Sequence, residues 1–541
     1  MDERQALLDS PELADDEIVA YVQQRRASIA SVGTTKIPSV FQLTPKRSRQ
    51  SLDSHAYVSH HEPLNDLLSV HSSTILGEPR TSMWTETRTL LKYSVPLIIT
   101  FLLQYSLTVA SVFSVGRLGP TELAAVSLSS MTANISGYAI IQGVSTCLDT
   151  LCAQAHGRRD FNTVGLHFVR CTYLLMLCYV PMLVLWMFFS EPILLFLVGE
   201  EKRQLVTLAS RYLQILSLGL PGFIVFENLK HFLQSQGIFH ASTYVLLFCA
   251  PMNAFLNYFL VWNKHVGLGF KGAPLSVVIT NWVMCGALWC YTKYIDGYEC
   301  LPRQRLLHKT YFSNWQRMIN LSVPGVLMVE AEWLAFEIIT FIASTFGTEV
   351  LAAQSIVSTT CVLLYQIPFA LSITASTRIA WYIGAASKKA ALVATRASMY
   401  TAMCFGVVNA AVLFSFRDFF ASLFTDDPIV LDIASKVLIV GAVYQINDFL
   451  ASGYLNLVSY YVIALPTAIF FAFYLELALI GLWMGMIIAL FFVSLSQTYF
   501  VVASDWDAII TECIEEGVAE DGVLNIEATA SVPAMSSNHL V

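Results

Sequence analysis

Three glutamates lie close together in a stretch that is otherwise apolar enough to enter a lipid bilayer. Glu330, Glu332 and Glu337 stand inside the hydrophobic run that begins at Leu321. A carboxylate at the centre of a bilayer costs roughly 2.5–3.5 kcal/mol, so such residues usually face a cavity or a partner. The chemistry that these side chains offer is the binding and release of protons. The alternative, strongest for Glu330, is a position near a helix end where lipid headgroups hydrate the carboxylate.

The spacing of the glutamates divides them between faces of a helix. Glu332 and Glu337 lie about 140° apart around a helix, whereas Glu330, seven positions before Glu337, shares its stripe. We expect one of the pair to face a cavity and the other to face its own helix bundle. Carboxyls held close together in a medium of low dielectric constant bind protons more tightly than carboxyls in water, as a proton carrier must. Pro324 removes a backbone hydrogen bond nearby and allows the helix to bend.

The composition is that of an integral membrane protein and excludes several other classes. The 541 residues are 55% hydrophobic and 13% charged, whereas soluble proteins are nearer to a quarter charged. The net charge of −8 arises largely in the tails, and no basic patch interleaved with aromatic residues predicts a nucleic-acid partner. The eleven cysteines have no CxxC or zinc spacing, so we expect buried hydrophobes and no metal or cofactor. With no nucleophile–base pair and no phosphate-binding glycine loop, an enzyme is not expected.

Twelve apolar runs, each near twenty residues long, are the elements that must position these carboxyls. Every backbone group in lipid must be paired within its own segment, so the runs predict transmembrane helices in an all-α membrane protein. They centre on 91–114, 122–145, 164–188, 205–226, 241–262, 270–292, 320–343, 350–373, 390–414, 430–450, 454–475 and 478–502.

Basic residues concentrate in the loops on the side of the N-terminal tail. The positive-inside rule therefore places both tails in the cytosol. The basic residues on that side are Arg158, Arg159, Lys293, Arg303, Arg305, Lys309, Arg317, Arg378, Lys388 and Lys389.

These patterns divide the chain into five segments. The first is polar and Ser-rich and predicts a disordered tail, and the last is most simply a solvated acidic tail. The segments are a cytosolic N-terminal tail (1–85), an N-terminal six-helix bundle (86–295), a cytosolic linker (296–319), a C-terminal six-helix bundle (320–503) and an acidic cytosolic tail (504–541).

The two bundles repeat each other in sequence. An offset of 228 residues takes Ser94-Val95-Pro96 to Ser322-Val323-Pro324, and it also takes Gly119 to Gly347. Six helices are an even number, so both repeats enter the membrane from the same face. A pseudo-two-fold axis along the membrane normal should relate them, with a cavity at their interface. This is the architecture of a transporter with alternating access.

Several motifs resemble those of eukaryotic multidrug and toxic compound extrusion (MATE) transporters, in a fungal-like form. Residues 332–337, E-W-L-A-F-E, are similar to the family's E-W-W-x-(F/Y)-E on helix seven. Residues 351–356 (L-A-A-Q-S-I) resemble the start of helix eight, and residues 153–157 (A-Q-A-H-G) resemble the turn after helix two. Residues 227–230 (E-N-L-K) and 232–237 (F-L-Q-S-Q-G) resemble the end of helix four. The resemblance covers about residues 85–505. It implies two bundles in a V and the export of organic, often cationic, solutes in exchange for protons or sodium.

The resemblance also assigns roles to particular acids. It implies that Glu332 and Glu337 take part in transport, and that Asp448 matches an acid late in helix ten, although a helix cap is the alternative for Asp448. The counterpart of Asp448 in the first repeat is Glu227, for which an interfacial salt bridge with Lys230 is an equally good explanation. Gln104 replaces an aspartate that prokaryotic relatives use, so coupling is expected in the C-terminal bundle.

A second group of residues is predicted to line the cleft. Aromatic rings there would hold a flat cation by cation–π attraction, although most aromatic residues of a membrane bundle serve packing, and amides at membrane depth more often join helices. The candidates are Trp333, Phe336, Tyr365, Gln366, Tyr444, Asn447, Tyr460 and Tyr461.

Helices ten and eleven are predicted to be unusually close in sequence. The apolar stretch from about Ala434 to Leu475 has 42 residues, and two spans of roughly 20 leave almost no turn. Either residues 452–453 form a very tight turn with a shortened helix, or this chain lacks a segment that its relatives have.

A short pattern near the N-terminus resembles a sorting signal. Glu3, Leu7 and Leu8 match the acidic dileucine that directs membrane proteins to vacuoles through an adaptor complex. We therefore expect a multi-pass protein of the vacuolar membrane, with the plasma membrane as the alternative. The expected partners are the lipid bilayer, small organic solutes and protons, and the protein is expected to be a monomer.

Two other functions remain open at this point. A flippase for lipid-linked oligosaccharides belongs to the same superfamily, but such proteins often have extra helices or a strongly cationic cleft. A major-facilitator-type carrier also has six plus six helices, yet Gly157-Arg158-Arg159-Asp160 matches its loop motif only weakly.

Overall fold

The computed structural model describes residues 81–116, 118–263, 267–302, 308–448, 459–515 and 517. The side chains of residues 447 and 448 are not among those described. Within these residues the chain forms helices and no strand, which confirms the predicted all-α membrane fold. The sorting motif, residues 1–80 of the N-terminal tail, the turn at 452–453 and most of the C-terminal tail lie outside the described residues.

The N-terminal half consists of six helical passes, three of which are built from consecutive helices. Two of these passes contain π-helical turns, at Asn134–Tyr138 and Leu185–Phe189, and a third is bent by 54° at residues 218–219. The helices are α1 (Met83–Gly116), α2 (Pro120–Ala133), α3 (Ala139–Ser145), α4 (Cys147–Gly157), α5 (Phe161–Val184), α6 (Ser190–Val198), α7 (Arg203–Ser217), α8 (Leu220–Ser235), α9 (His240–Trp262) and α10 (Gly272–Tyr294).

The C-terminal half follows after a segment that contains two short 3₁₀ turns. Its helices are α11 (Gln316–Ser344), α12 (Thr348–Gly384), α13 (Lys388–Ser415), α14 (Arg417–Ser422), α15 (Pro428–Asp448), α16 (Leu465–Ile469, between π-helical turns at Ser459–Ala464 and Phe470–Tyr474) and α17 (Ala478–Ala503).

Each predicted apolar run falls on a helical pass wherever it is described. By length and composition, eight of the described helices can cross a membrane, or nine if the bent pair α7–α8 counts as one span. Helix α11 carries three glutamates, and the apolar helix Ser459–Tyr474 is shorter than 18 residues. Residues 449–458 lie outside the described residues, so the short connection between helices ten and eleven stays a prediction.

Each half has its own core. One large cluster of buried apolar side chains extends from Leu107 to Met318, and a second extends from Ala331 to Leu490. The division between the two clusters falls within α11, which thus contributes to both.

The repeat is preserved in the bounds of the equivalent helices, with one inserted residue. The pass from Pro120 to Gly157 has one residue more than α12, which has 37. A π-helical turn accommodates one extra residue per turn, and Asn134–Tyr138 lies in the longer pass. Beyond this π-helical turn, the offset between equivalent residues of the two halves is 227 rather than 228. Arg159 and Ala386 are equivalent at this offset, and both have positive φ, 61° and 57°.

The halves contact each other at the tail side, by which we mean the side where α1 begins and α17 ends. There α1 packs on α12 and α13, α3 on α11, and α4 on α12. The ends of α4 and α12, which are equivalent in the two halves, cross closely and almost symmetrically. A Cβ at Gly157 would overlap the backbone of Trp381, and a Cβ at Gly384 would overlap the backbone of Gln154. Small residues at such crossings allow transmembrane helices to approach closely.

The beginning of the C-terminal tail is not a solvated segment. Residues 506–515 are helical, and Ile510 and Cys513 are buried against Tyr382 and neighbouring residues of α13. The Arg158 guanidinium donates to the Cys513 carbonyl at 3.3 Å, and Lys388 pairs with Asp507 at 2.5 Å. Of the acidic residues that suggested a solvated tail, Asp507, Glu512 and Glu515 are exposed on the outer face of this amphipathic helix. This helix touches both halves at the tail side.

A glycine substitution tests the close crossing of α3 and α11. A Cβ at Gly143 would overlap the backbone of Val326, so Gly143→Ala should force the two halves apart and lower the melting temperature in detergent. The matched control is Gly286→Ala in α10, where the space around the Cβ is open. Alanine is favoured over glycine in a helix by roughly 0.5–1 kcal/mol, so the control should be unchanged or slightly more stable. Equal melting temperatures for the two variants would contradict the crossing.

Candidate functional site

The three predicted carboxyls lie on consecutive turns of α11, beyond the point where this helix crosses α3. Each of Glu330, Glu332 and Glu337 is half-buried. Within the described part of the chain, none of them accepts a hydrogen bond or joins an ion pair. These side chains are therefore half-buried carboxyls whose charge is not balanced by a described neighbour.

The buried residues of α11 identify which way each glutamate faces. The stripe that packs into the C-terminal core consists of Ala331, Ala335, Ile339 and Ala343. Glu332 lies about 40° from the centre of that stripe, whereas Glu330 and Glu337 lie about 160–180° from it, on the opposite side of the helix. The structure thus divides the glutamates as their spacing predicts.

Residues of passes ten, eleven and twelve surround this part of α11. The Tyr461 hydroxyl donates to the Ala331 carbonyl at 3.4 Å and lies near enough to Glu330 to interact with it electrostatically. The rings of Phe336, Tyr444 and Trp483 pack edge to face with centroids 5.4–6.1 Å apart.

The predicted cleft residues occupy two kinds of position. Tyr444 and Tyr460 are almost fully buried in the C-terminal core, where ring packing accounts for the position of Tyr444. Trp333, like Phe336 and Tyr461, is half-buried. Asn447 and Asp448 end α15, and their side chains lie outside the described residues.

Two further cleft candidates lie on α12. Tyr365 stacks on Phe369, which in turn contacts Phe101 of the other half at a centroid distance of 4.9 Å. The Gln366 amide donates to the Val362 carbonyl one turn earlier, at 3.0 Å. Of the two, Tyr365 is the one placed beside the contact between the halves.

Glu227 belongs to a buried charged cluster in the N-terminal half, not to a salt bridge at the membrane interface. Its carboxylate pairs with Lys230 at 2.5 Å and accepts a hydrogen bond from the Gln104 amide at 2.7 Å. His231 approaches Glu227 through Nε2 at 4.0 Å and contacts Asp149 of α4 through Nδ1 at 2.6 Å. All four ionisable side chains are nearly or fully buried. We call Asp149, Glu227, Lys230 and His231 the N-terminal charged cluster.

Sequence reasoning did not identify Asp149 or His231 as members of this cluster. Asp149 lies in the turn before the A-Q-A-H-G motif, and His231 follows Lys230 directly. The available signal was that both are ionisable residues at membrane depth, which by default suggests a functional site. Their pairing joins positions 82 residues apart, and no local pattern in the sequence indicates it.

A second buried ion pair joins the two halves at the tail side. Arg378 donates to both oxygens of Glu86, at 2.9 and 3.3 Å, and the hydroxyls of Tyr382 and Thr81 donate to the same carboxylate at 2.6 Å. Glu86 is fully buried and Arg378 is 4% exposed. Arg378 was counted among the loop charges, but it lies inside α12 and serves this contact.

Other polar contacts extend this closure. The Trp381 indole donates to the Ser235 carbonyl at 2.7 Å, and Ser94 and Thr374 share a hydrogen bond of 2.9 Å. We use the term tail-side seal for the contacts between the halves made by Glu86, Ser94, Ser235, Thr374, Arg378, Trp381 and Tyr382.

Comparison with known proteins identifies relatives over most of the chain. A family model described as MatE matches residues 96–259 and 324–483, more than half of the sequence. The two matches begin at residues 228 apart, the offset that relates the two halves.

Individual relatives agree with the family match. The chain is 37% identical to an uncharacterized transporter of Saccharomyces cerevisiae, over 92% of this chain and 73% of the relative. It is 27% identical to Multidrug and toxin extrusion protein 1 of Pongo abelii, over 81% and 78% of the two chains. Its fold is similar to the crystal structure of the eukaryotic MATE transporter AtDTX14, with a TM-score of 0.74 at 23% identity, over 80% and 99% of the two chains.

Substitutions in the tail-side seal test its contribution to stability. Arg378→Gln leaves the Glu86 carboxylate buried without a counter-ion, and breaking a buried pair in this way costs about 3–5 kcal/mol. The melting temperature in detergent should fall well below that of the wild type, and the double variant Glu86→Gln/Arg378→Gln should recover part of the loss.

The matched control is the exposed pair Lys436–Asp432 on α15, whose side chains are 60% and 61% exposed. Exposed pairs contribute about 0–1 kcal/mol, so Lys436→Gln should melt like the wild type. A melting temperature for Arg378→Gln that matches the control would show that the pair does not hold the halves together.

Proposed function

The chain belongs to the MatE family of membrane transporters, and we propose that it exports organic, largely cationic solutes in exchange for protons. The observation that carries the proposal is the set of three half-buried glutamates on α11, for which the described residues provide no hydrogen bond or counter-ion. Buried charges in membrane proteins are normally paired or mark a transport pathway. The family assignment replaces the alternative of a major-facilitator-type carrier.

Exchange follows from competition for the same carboxyls. A protonated glutamate is neutral and has little attraction for a cation, whereas the ionised form attracts a cationic solute and is stabilised by it. A solute that binds therefore favours proton release, and a proton that binds favours solute release; this reciprocity is required by linkage. Although Glu332 faces the C-terminal core and Glu330 and Glu337 face away from it, the proposal assigns all three to the proton and solute pathway along α11. Asp448, at the end of α15, is the fourth proposed carboxyl.

Alternating access requires the halves to separate at the tail side. In the described state the contacts between the halves are concentrated there, in the tail-side seal and the glycine crossings. If the tails are cytosolic, solute loading from the cytosol needs this seal to open, and release takes place from the opposite side. The half-buried rings of Trp333, Phe336, Tyr365 and Tyr461 are the proposed contacts for a flat cation, through cation–π attraction.

The name of the relative Multidrug and toxin extrusion protein 1 supports the proposed class of solute. An organic cation combines a delocalised positive charge with apolar surface. Such a molecule suits a pathway that has carboxyls and aromatic rings but no strong, fixed counter-charge.

Transport in proteoliposomes tests the coupling. With a fluorescent organic cation such as ethidium inside and an inward proton gradient, the wild type should release the dye faster than protein-free vesicles. Glu332→Gln and Glu337→Gln should each reduce proton-driven release at least about tenfold, because glutamine cannot exchange a proton and carries no charge.

The matched control is Glu349→Gln, an exposed glutamate in the first turn of α12. It should release dye at the wild-type rate. Wild-type release by both Glu332→Gln and Glu337→Gln would exclude these carboxyls from coupling, and release driven equally well by a sodium gradient at constant pH would exclude coupling to protons alone.

The proposed location is the vacuolar membrane, with sorting through an adaptor complex that reads Glu3, Leu7 and Leu8. A fluorescent fusion with Leu7→Ala and Leu8→Ala should move from the vacuolar to the plasma membrane, because the dileucine supplies the apolar contact of the signal. The matched control is Leu13→Ala, a nearby leucine outside the motif, which should leave the location unchanged. A vacuolar location that survives the double substitution would remove the sorting role.

A further inference from the structure

The N-terminal charged cluster is not balanced in charge unless it holds an additional proton. With Asp149 and Glu227 ionised, Lys230 charged and His231 neutral, this buried cluster carries one net negative charge. One more proton, on His231 or on a carboxyl, makes it neutral. Because an unpaired charge in a protein interior costs several kcal/mol, the neutral form is the one that suits the closed, buried arrangement described here.

The geometry of His231 indicates where this proton resides. Its Nδ1 lies 2.6 Å from Asp149 Oδ1 and its Nε2 lies 4.0 Å from Glu227 Oε2, so each ring nitrogen faces a carboxylate. A neutral imidazole has a single N–H and can donate on one side only, whereas an imidazolium donates on both. The protonated ring therefore donates a hydrogen bond to Asp149 and directs its second N–H towards Glu227, which it attracts at 4.0 Å without a hydrogen bond.

We propose that the N-terminal charged cluster is a second proton-binding site of this protein, with the exchangeable proton shared between His231 and Asp149. This site is in the other half from the α11 glutamates, and it uses different residues from the proposed coupling pathway. Its occupancy is therefore a separate property of the molecule.

The remaining groups around His231 do not supply the missing positive charge. On its own helix the charged neighbours are Glu227 and Lys230, and Lys230 also lies 5.2 Å from the centre of the Phe101 ring. From α4 the ionisable neighbours are Asp149 and the Cys152 thiol, which interacts with Asp149. Two cations on neighbouring helices have partners elsewhere, because Arg170 of α5 donates to the Thr310 carbonyl and Arg378 of α12 pairs with Glu86.

The other titratable side chains on the helices packed against α8 have contacts of their own or are not charged. His156 of α4 packs on Trp381 and Phe161, and His240 of α9 contacts the Tyr291 hydroxyl of α10. His167 and Cys171 of α5 are buried in the N-terminal half, and the Cys171 thiol donates to Asn228.

The cluster lies directly behind the tail-side seal. Helix α8, which carries three of its members, ends at Ser235, whose carbonyl accepts the Trp381 hydrogen bond. Helix α4, which carries Asp149, ends in the glycine crossing with α12. The cluster is therefore carried by the same two helices whose ends meet the other half.

Nuclear magnetic resonance of histidine-labelled protein in lipid nanodiscs tests the proposal without any solute. The chain has 11 histidines, and the signal that His231→Gln removes is that of His231. If this variant does not fold, the signal that shifts in both Asp149→Asn and Glu227→Gln identifies the same residue. The matched control His240→Gln should remove a different signal and leave that of His231 unchanged.

We expect His231 in the wild type to give the signal of an imidazolium at neutral pH, with a proton on each ring nitrogen. In Glu227→Gln the cluster is neutral without the additional proton, so we expect the ring to give the signal of the neutral imidazole. A wild-type signal of the neutral form, or the same form in wild type and Glu227→Gln, would overturn the proposal. The result does not depend on proton-driven transport, so failure of one proposal is distinguishable from failure of the other.

Discussion

The constraint on which this structure depends is the cost of placing ionised side chains where there is little water. A charge inside an apolar bundle must meet an opposite charge, bind a proton or find water. The protein meets this constraint in different ways in three places. Glu86 and Arg378 neutralise each other across the halves, the N-terminal charged cluster combines two acids with a lysine and a histidine, and the α11 glutamates have no described counter-ion.

These three arrangements are suited to different tasks. A complete ion pair such as Glu86–Arg378 is costly to break by removing one partner, so it suits a contact that defines one state of the molecule. A carboxyl without a counter-ion responds strongly to protons and cations, so it suits a site whose charge changes during transport. The N-terminal charged cluster lies between these cases, because its charges balance only when one more proton is bound.

Close backbone contact makes the closed state possible. Gly143 allows α11 to approach α3, and Gly157 and Gly384 allow the ends of α4 and α12 to cross. The near symmetry of the second crossing follows from the sequence repeat, with the π-helical turn at Asn134–Tyr138 absorbing one extra residue. The same close approach brings Glu86 within reach of Arg378, so the ion pair and the glycines stabilise one arrangement together.

Much of this architecture could be predicted from the sequence, because it depends on local patterns. Hydrophobic runs specified the helical passes, and the constant offset specified the two related halves. The division of the α11 glutamates between two faces followed from helical geometry alone. The order of residues along α11 was sufficient for that prediction, and no distant contact entered it.

Other features could not be predicted, because they depend on contacts between distant segments. Asp149 and His231 meet through the packing of α4 on α8. Arg378 was assigned to a loop because it follows a long apolar run, and only the position of Glu86 explains its burial. Residues 506–515 were assigned to a solvated tail because of their acidic side chains. Their apolar face could be identified only from its contact with α13.

The central claim is that the α11 carboxyls bind and release protons inside the bundle, and infrared difference spectroscopy tests it most directly. The spectrum of the protein in lipid at acid pH minus that at alkaline pH should contain a band from protonated carboxyl groups in apolar surroundings. The account predicts that Glu332→Gln and Glu337→Gln each weaken this band, whereas Glu349→Gln leaves it intact. A band that is absent, or that persists undiminished in both α11 variants, would contradict the account.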